Sequence, residues 1–165
     1  MTELTLLTQS LKPTEAELAH GANELLELNR ELSENNLRLT ETQAREIAET
    51  RLTALRQNSR IEIGMGATTR ILRKFSSSAY VTNQNLPEIS NFLCDIFYFL
   101  KTETRDSISD TELIDKLFDK FETDCAGSTE RLADECEDLI RSFNLTGSAD
   151  FTDENDEPEE NIYAD

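Results

Sequence analysis

A chain of 165 residues, of which 37% are hydrophobic and 30% are charged, is long enough to bury one core without disulfide or metal staples. Its formal net charge of -18 argues against binding to nucleic acid or to an anionic membrane, because both need a basic protein surface. No apolar run approaches the length of a membrane span and no basic leader opens the chain, so the sequence predicts a cytoplasmic protein.

Two helices open the predicted domain after an N-terminal arm, residues 1–13. Thr14 with Glu17, and Thr40 with Gln43, each fit a capping box, in which two side chains satisfy free N–H groups at the start of a helix. Apolar residues at helical spacing follow each box. Because only a short polar stretch separates the two helices, we expect them to pack as an antiparallel hairpin.

A short strand is predicted next, from Arg60 to Gly64. Ile61 and Ile63 alternate with charged neighbours, which is the spacing of a β-strand. A single strand needs a partner, and the candidates are the short stretch Ala79–Val81 or the strand of a second copy. The glycines that follow lack the spacing of a phosphate-binding loop, so we interpret them as a turn into a helix over Ala67–Phe75.

The most apolar stretch, Asn85 to Arg105, predicts the central helix of the domain. Its apolar residues recur at helical spacing around most of its girth, so we expect neighbouring helices on several sides. Asn85 with Glu88 fits a further capping box. Phe97 and Leu100 lie on the main apolar stripe, and we expect both side chains to be buried.

Two amphipathic helices and an acidic tail complete the chain. Ser109 with Glu112 fits another capping box at the start of the first helix, and Ser128 can cap the second. Residues 146–165 carry eight acids and no base, which is typical of a disordered tail. The sequence therefore predicts the all-α class, with a compact bundle of about six helices over residues 14–145 and one minor strand element.

Five segments resemble an uncharacterised family, a domain-of-unknown-function family of clostridia and related Gram-positive bacteria. In chain order they read RIEIG, FSSSAYVT, IFYFLKTET, ISDTELIDKLF and CAGSTERL. The resemblance covers about Leu37 to Ile140 and is carried by structural rather than catalytic residues. It implies a small, mostly helical, soluble bacterial protein with no assigned activity. Members of that family end soon after the last helix, so the acidic tail departs from the pattern.

The residue types that carry chemistry are few. Cys94, Cys125 and Cys136 are odd in number and lack metal-ligand spacing, so we interpret them as buried, reduced thiols. His20 is the single histidine and has no Cys or His three or four residues away, which favours a surface or packing role over a zinc site. Neither a metal nor another cofactor is predicted.

Asp95 is the candidate functional carboxylate, because it interrupts the most apolar helix. A charge there is costly to bury without a partner. We therefore expect Asp95 either to pair with an arginine or to lie on the exposed rim of the helix. An acid–base or cation-binding role is the alternative.

A local excess of positive charge marks the candidate interaction surface. Residues 38–74 hold eight Lys or Arg against four Glu, whereas residues 103–138 hold thirteen acids against four bases. We expect this surface to pair with the acidic C-terminal helices, within one chain or across a homodimer that salt weakens. Its residues are Arg56, Arg60, Arg70, Arg73 and Lys74.

These observations favour a non-enzymatic interaction or accessory protein whose partner is a protein, one with a basic surface being the best match. A carboxylate-based or metal-dependent enzyme and an acidic mimic of nucleic acid are the alternatives. A deep pocket of carboxylates around Asp95 would favour the enzyme. A flat surface with an apolar patch would favour the binding module, and a ridge of evenly spaced acids would favour the mimic.

Overall fold

The computed structural model describes residues 12–149 and residue 151, and within this range it contains six helices of ten or more residues and no β-strand. This confirms the predicted all-α class. A helical turn, Asn29–Leu32, and a 3-10 turn, Ser33–Asn35, extend the first helix. The six are α1 (Glu15–Glu27), α2 (Glu41–Gln57), α3 (Gly66–Phe75), α4 (Leu86–Glu103), α5 (Asp110–Glu122) and α6 (Thr129–Thr146).

The predicted N-terminal arm lies almost entirely outside the described residues, and so does the predicted tail beyond residue 151. The described part of that tail contacts the bundle. Phe151 is partly buried against the core, and the Lys120 ammonium lies 5.6 Å from the centroid of its ring. None of the described helices is long and apolar enough to cross a membrane.

Side-chain caps start four of the helices, as the sequence predicts. The Thr14 hydroxyl accepts a hydrogen bond from the backbone N–H of Glu17 at 3.2 Å, and the Glu17 carboxylate accepts one from the Thr14 N–H at 3.0 Å. Thr40 and Gln43 form the same reciprocal pair at 3.2 and 3.0 Å. Ser109 and Ser128 accept from backbone N–H groups three residues later, so Ser109 caps its helix but forms only the serine half of the predicted capping box. These starts depend on local chemistry alone, which is why the sequence reveals them.

The capping box predicted at Asn85 is wrong. Asn85 has φ -101° and ψ -7°, whereas Thr14 and Thr40 are extended, as a capping residue must be for its side chain to reach back. Its amide instead ties the preceding loop together. The Asn85 Oδ1 accepts from the Thr82 N–H at 2.7 Å, and its Nδ2 donates to the Tyr80 carbonyl at 2.8 Å.

Helix α4 is the centre of the bundle, as the apolar residues on most of its sides predict. It packs against α2, α3 and α6. Helix α1 packs on α2, and α5 lies against α3 and α6. Phe97 and Leu100 are both fully buried, which confirms their expected place in the core.

The first two helices form the predicted hairpin. Glu17, near the start of α1, pairs with Arg56, near the end of α2, at 2.9 Å, as the ends of antiparallel neighbours do. Gly21 allows their close approach, because a Cβ at that position would lie 3.0 Å from the Cβ of Ala48. The C-terminal end of α2 also lies beside α4, and the candidate site is between them.

The strand predicted for residues 60–64 is wrong. The segment is a loop between α2 and α3, and its predicted partner, residues 79–81, belongs to a turn. Ile61 and Ile63 alternate with Glu62 because Glu62 alone is held inward, not because the backbone pairs with another strand. The exposed fractions of the two isoleucines are 98% and 97%.

A second close approach joins the loop before α4 to the turn before α6. Gly127 has φ +80°, and a Cβ there would lie 2.5 Å from the Cγ of Tyr80. The Tyr80 ring in turn meets Phe121 edge to face, with centroids 6.1 Å apart. Only glycine suits both the left-handed backbone and the short distance.

Candidate protein-binding surface

The isoleucine loop, residues 60–64, presents the two most exposed large apolar side chains among the described residues. Ile61 and Ile63 are more exposed than Leu145 at 81% and far more than Phe99 at 42%. A scattered exposed apolar residue is ordinary on a protein surface. Two isoleucine side chains that are almost fully exposed within three residues form a concentrated apolar surface, and exposing it to water is unfavourable.

Glu62 fixes this loop to three helices. Its carboxylate accepts hydrogen bonds from the Tyr98 hydroxyl at 2.8 Å, from the Arg51 guanidinium at 3.1 Å and from the Ala67 N–H at 3.3 Å. Arg51 also donates to the carbonyl of Gly64. Because the middle of the loop is held inward from α2, α3 and α4, its two isoleucines are held outward.

The groups that hold Glu62 are themselves buried. The exposed fraction of Arg51 is 4% and that of Tyr98 is 2%. Burial, and then the neighbouring Glu62 carboxylate, raises the pKa of Tyr98, so its hydroxyl stays a proton donor at neutral pH. A buried guanidinium needs a carboxylate partner, and Glu62 is that partner.

An open groove of about 740 Å³ lies between the C-terminal end of α2 and helix α4. One wall is apolar and comes from Phe92, Ile96 and Phe99 of α4. Two carboxylates, those of Asp95 and Glu103, lie among these residues. The other lining residues are Ala54, Gln57, Asn58, Ser59 and Thr102.

Asp95 lies on the exposed rim of α4, which is one of the two placements expected from its position. Partial burial raises the pKa of its carboxyl. No cation contacts it among the described residues. Asp95 also lines a smaller acidic recess against α2, together with Glu46, Glu49, Thr50, Thr53, Gln57 and Asn91.

Each of the five basic residues expected to form an interaction surface contacts another side chain of the same chain. Arg56 pairs with Glu17 at 2.9 Å, and Arg60 pairs with Asp106. On α3, Arg70 donates to the Thr111 hydroxyl and Arg73 pairs with Glu31 at 2.5 Å.

The fifth, Lys74, lies 3.4 Å from Asp115 and 5.0 Å from the centre of the Phe118 ring. The structure therefore divides the five residues into two groups. Arg56 and Arg60 flank the end of α2, while Arg70, Arg73 and Lys74 lie along α3. Four of the five pair with a carboxylate of the same chain, mostly in exposed pairs that contribute little to stability individually, whereas Arg70 contacts the neutral hydroxyl of Thr111.

The cysteines and the histidine lie where the sequence places them. Cys94, Cys125 and Cys136 are buried free thiols, and burial raises the pKa of Cys94 and of Cys136 to about 12. His20 is largely exposed and lies 3.0 Å from Glu24, one turn along α1. Among the described residues, no three His, Cys, Asp or Glu side chains converge as a metal ion would require.

Sequence reasoning missed the role of Glu62 and the groove. The sequence does contain one signal for the role of Glu62. Arg51 lies among the apolar positions of α2, and a buried guanidinium there needs a carboxylate partner. The sequence does not say which acid, because Glu62 reaches Arg51 only after the chain turns at residues 58–60. The groove combines residues about forty positions apart, and no local pattern marks it.

A family model, described as Family of unknown function (DUF6323), matches residues 24–148. No curated protein and no solved structure matches the chain. The matched range contains the isoleucine loop, the groove and all five basic residues described above.

Proposed function

We propose that this chain, which belongs to the family of unknown function DUF6323, is a non-enzymatic protein-binding module that uses the isoleucine loop as its anchor. The observation that carries the proposal is that two fully exposed apolar side chains lie on a loop that is firmly bonded to the helices. Ile61 and Ile63 contact solvent almost completely, while Glu62 between them is bound to three helices.

The energy available from this loop is enough for specific binding. Burying one isoleucine side chain contributes about 1.5–3 kcal/mol, so the two together contribute roughly 3–6 kcal/mol. That is on the order of 100- to 10,000-fold in affinity. Because Glu62 already fixes the loop, little further conformational entropy is lost when a partner covers it.

The surroundings of Asp95 support a binding module over a carboxylate-based enzyme. The space beside Asp95 is an open groove with an apolar wall, and a partner protein can lie along such a surface. The net charge of -18 favours a partner that is basic around its apolar contact. We place the protein in the cytoplasm, where its three buried thiols stay reduced.

The test compares capture of partner proteins by the full chain and by an Ile61→Ser/Ile63→Ser variant. The lysate comes from a clostridial-type Gram-positive bacterium, the source that the segment resemblance implies. Bound proteins are quantified by mass spectrometry, and the affinity of each captured protein is then measured with purified components. We expect the double variant to bind its partner at least about 100-fold more weakly.

Leu145→Ser is the matched control, because Leu145 is also an exposed apolar residue but lies at the far end of α6. Both variants should melt as the unchanged chain does, since the replaced side chains are exposed. Capture that survives the double variant, or that Leu145→Ser reduces equally, contradicts the proposal.

A further inference from the structure

The groove and the acidic recess are parts of one continuous surface. They share Asp95 and Gln57, so an apolar wall on α4 passes directly into a set of carboxylates. Two of these carboxylates, Glu46 and Glu49, lie three residues apart on α2 and line the recess together with Asp95. A ligand that follows this surface meets an apolar wall first and negative charge next to it.

One buried polar atom of this surface has no hydrogen-bond partner, and two of its carboxylates pair with no cation of the described residues. The side-chain oxygen of Asn91 is buried and accepts no hydrogen bond from any described residue. Asp95 and Glu103 contact no cation in the described part of the chain. Other carboxylates nearby do pair with a cation. The Lys101 ammonium lies 2.8 Å from the Asp110 carboxylate, and the Arg60 guanidinium pairs with Asp106.

The surface continues into the isoleucine loop. Ser59 lines the groove and also lines the depression that contains Ile61. A protein segment that covers the isoleucines is therefore in position to reach the groove with its next residues. The groove volume, about 740 Å³, lies in the range of sites that take several side chains or a small ligand.

We propose that the groove and recess bind a segment of the partner protein in which a lysine or arginine lies beside apolar residues. The apolar side chains pack on Phe92, Ile96 and Phe99, and the cation enters the recess against Asp95 and Glu49. This inference rests on the proposed function and specifies the chemistry of the partner.

Charge decides between this occupant and a second copy of the chain. With a net charge of -18, two copies repel each other, whereas a basic segment is attracted. Four of the five basic residues that could have joined two copies already pair with a carboxylate of the same chain. Burial raises the pKa of the Asp95 carboxyl, and a bound cation would favour its ionised form.

The test uses two synthetic, fluorescently labelled helical peptides of equal length. One carries leucines on one face and lysines on the other, and the second has glutamate in place of every lysine. Binding is followed by fluorescence anisotropy with the full chain, with Glu49→Gln/Asp95→Asn, and with Asp134→Asn/Glu137→Gln. The last variant removes the same charge from the exposed face of α6 and is the control for net charge.

We expect the lysine peptide to bind, the glutamate peptide not to bind, and Glu49→Gln/Asp95→Asn to weaken binding about tenfold or more. Phe99→Ala should also weaken binding, because Phe99 is the most exposed part of the apolar wall. Equal losses in the two charge variants would show attraction by net charge alone and overturn the proposal. So would equal binding of both peptides.

Sedimentation of the chain alone tests whether a second copy of the chain occupies the groove instead. A dimer that the lysine peptide dissociates would assign the groove to a second copy and overturn the proposal. The two proposals fail separately. If the peptide does not bind while Ile61→Ser/Ile63→Ser still loses the native partner, the groove inference is wrong and the proposed function stands.

Discussion

Replacing Glu62 with alanine removes the acceptor that holds the isoleucine loop to three helices. The change leaves the Arg51 guanidinium buried with its Gly64 carbonyl contact but without a carboxylate. Breaking a buried ion pair from one side costs about 3–5 kcal/mol, because the remaining charge stays desolvated. The Glu62 side chain is 21% exposed, which allows some water to reach the guanidinium, so we expect a loss of about 2–4 kcal/mol.

The loss is measured as the free energy of unfolding, from urea denaturation followed by circular dichroism. For a domain of this size it corresponds to a fall in melting temperature of roughly 5–15 °C. Tyr98→Phe removes one of the three donors to the Glu62 carboxylate and should cost about 1.5–3 kcal/mol, the range for a hydrogen bond to a charged group. Replacing both charges, as Arg51→Met/Glu62→Leu, should cost less than Glu62→Ala alone, because no unpaired charge is left inside.

This ordering is the test of the reasoning. A cost for Glu62→Ala below about 0.5 kcal/mol would mean that Glu62 is a surface residue whose contacts contribute nothing measurable. A double replacement worse than the single one would show that the pair stabilises the fold beyond compensating its own desolvation.

Three further outcomes follow from the core, a turn and the rim of α4. Phe97→Ala should cost about 3–5 kcal/mol in urea unfolding, because a fully buried ring leaves a cavity, and a cost below about 1 kcal/mol would place α4 at the periphery. Gly127→Ala should destabilise the domain much more than Gly147→Ala, since both glycines have positive φ but only at residue 127 would a Cβ meet Tyr80; equal melting temperatures would contradict this contact. Asp95→Asn should raise the stability measured at pH 7. The folded pKa of Asp95 lies above its ordinary value of 3.8, so its ionised form lowers stability as the pH rises through that folded pKa. Below pH 3.8 the gain should vanish, and a loss at pH 7 would mean that the carboxylate has a stabilising contact.

The parts of the fold that the sequence predicts well are those set by neighbours in the chain. The boxes at Thr14 and Thr40 form because each needs only residues three positions apart. The central place of α4 follows from its own composition, since a helix that is apolar on most sides can be satisfied only by several neighbours.

The parts that the sequence predicts wrongly are decided by distant residues. Asn85 has the residue type of a cap, yet its amide bonds to Tyr80 and Thr82 once the loop before α4 is folded. The alternation around Glu62 imitates a strand, yet it comes from one carboxylate bonded to α2, α3 and α4. The groove beside Asp95 is formed by the end of α2 and by α4, residues about forty positions apart, so no local pattern records it.

The contact between Gly127 and Tyr80 predicts how sequences of this family vary. Position 127 tolerates a side chain only if position 80 becomes smaller, and an aromatic residue at position 80 requires glycine at position 127. The two positions should therefore covary across homologues although 46 residues lie between them in the chain. A homologue with asparagine or aspartate at position 127, the residues best suited to a positive φ after glycine, should carry a small residue in place of the tyrosine.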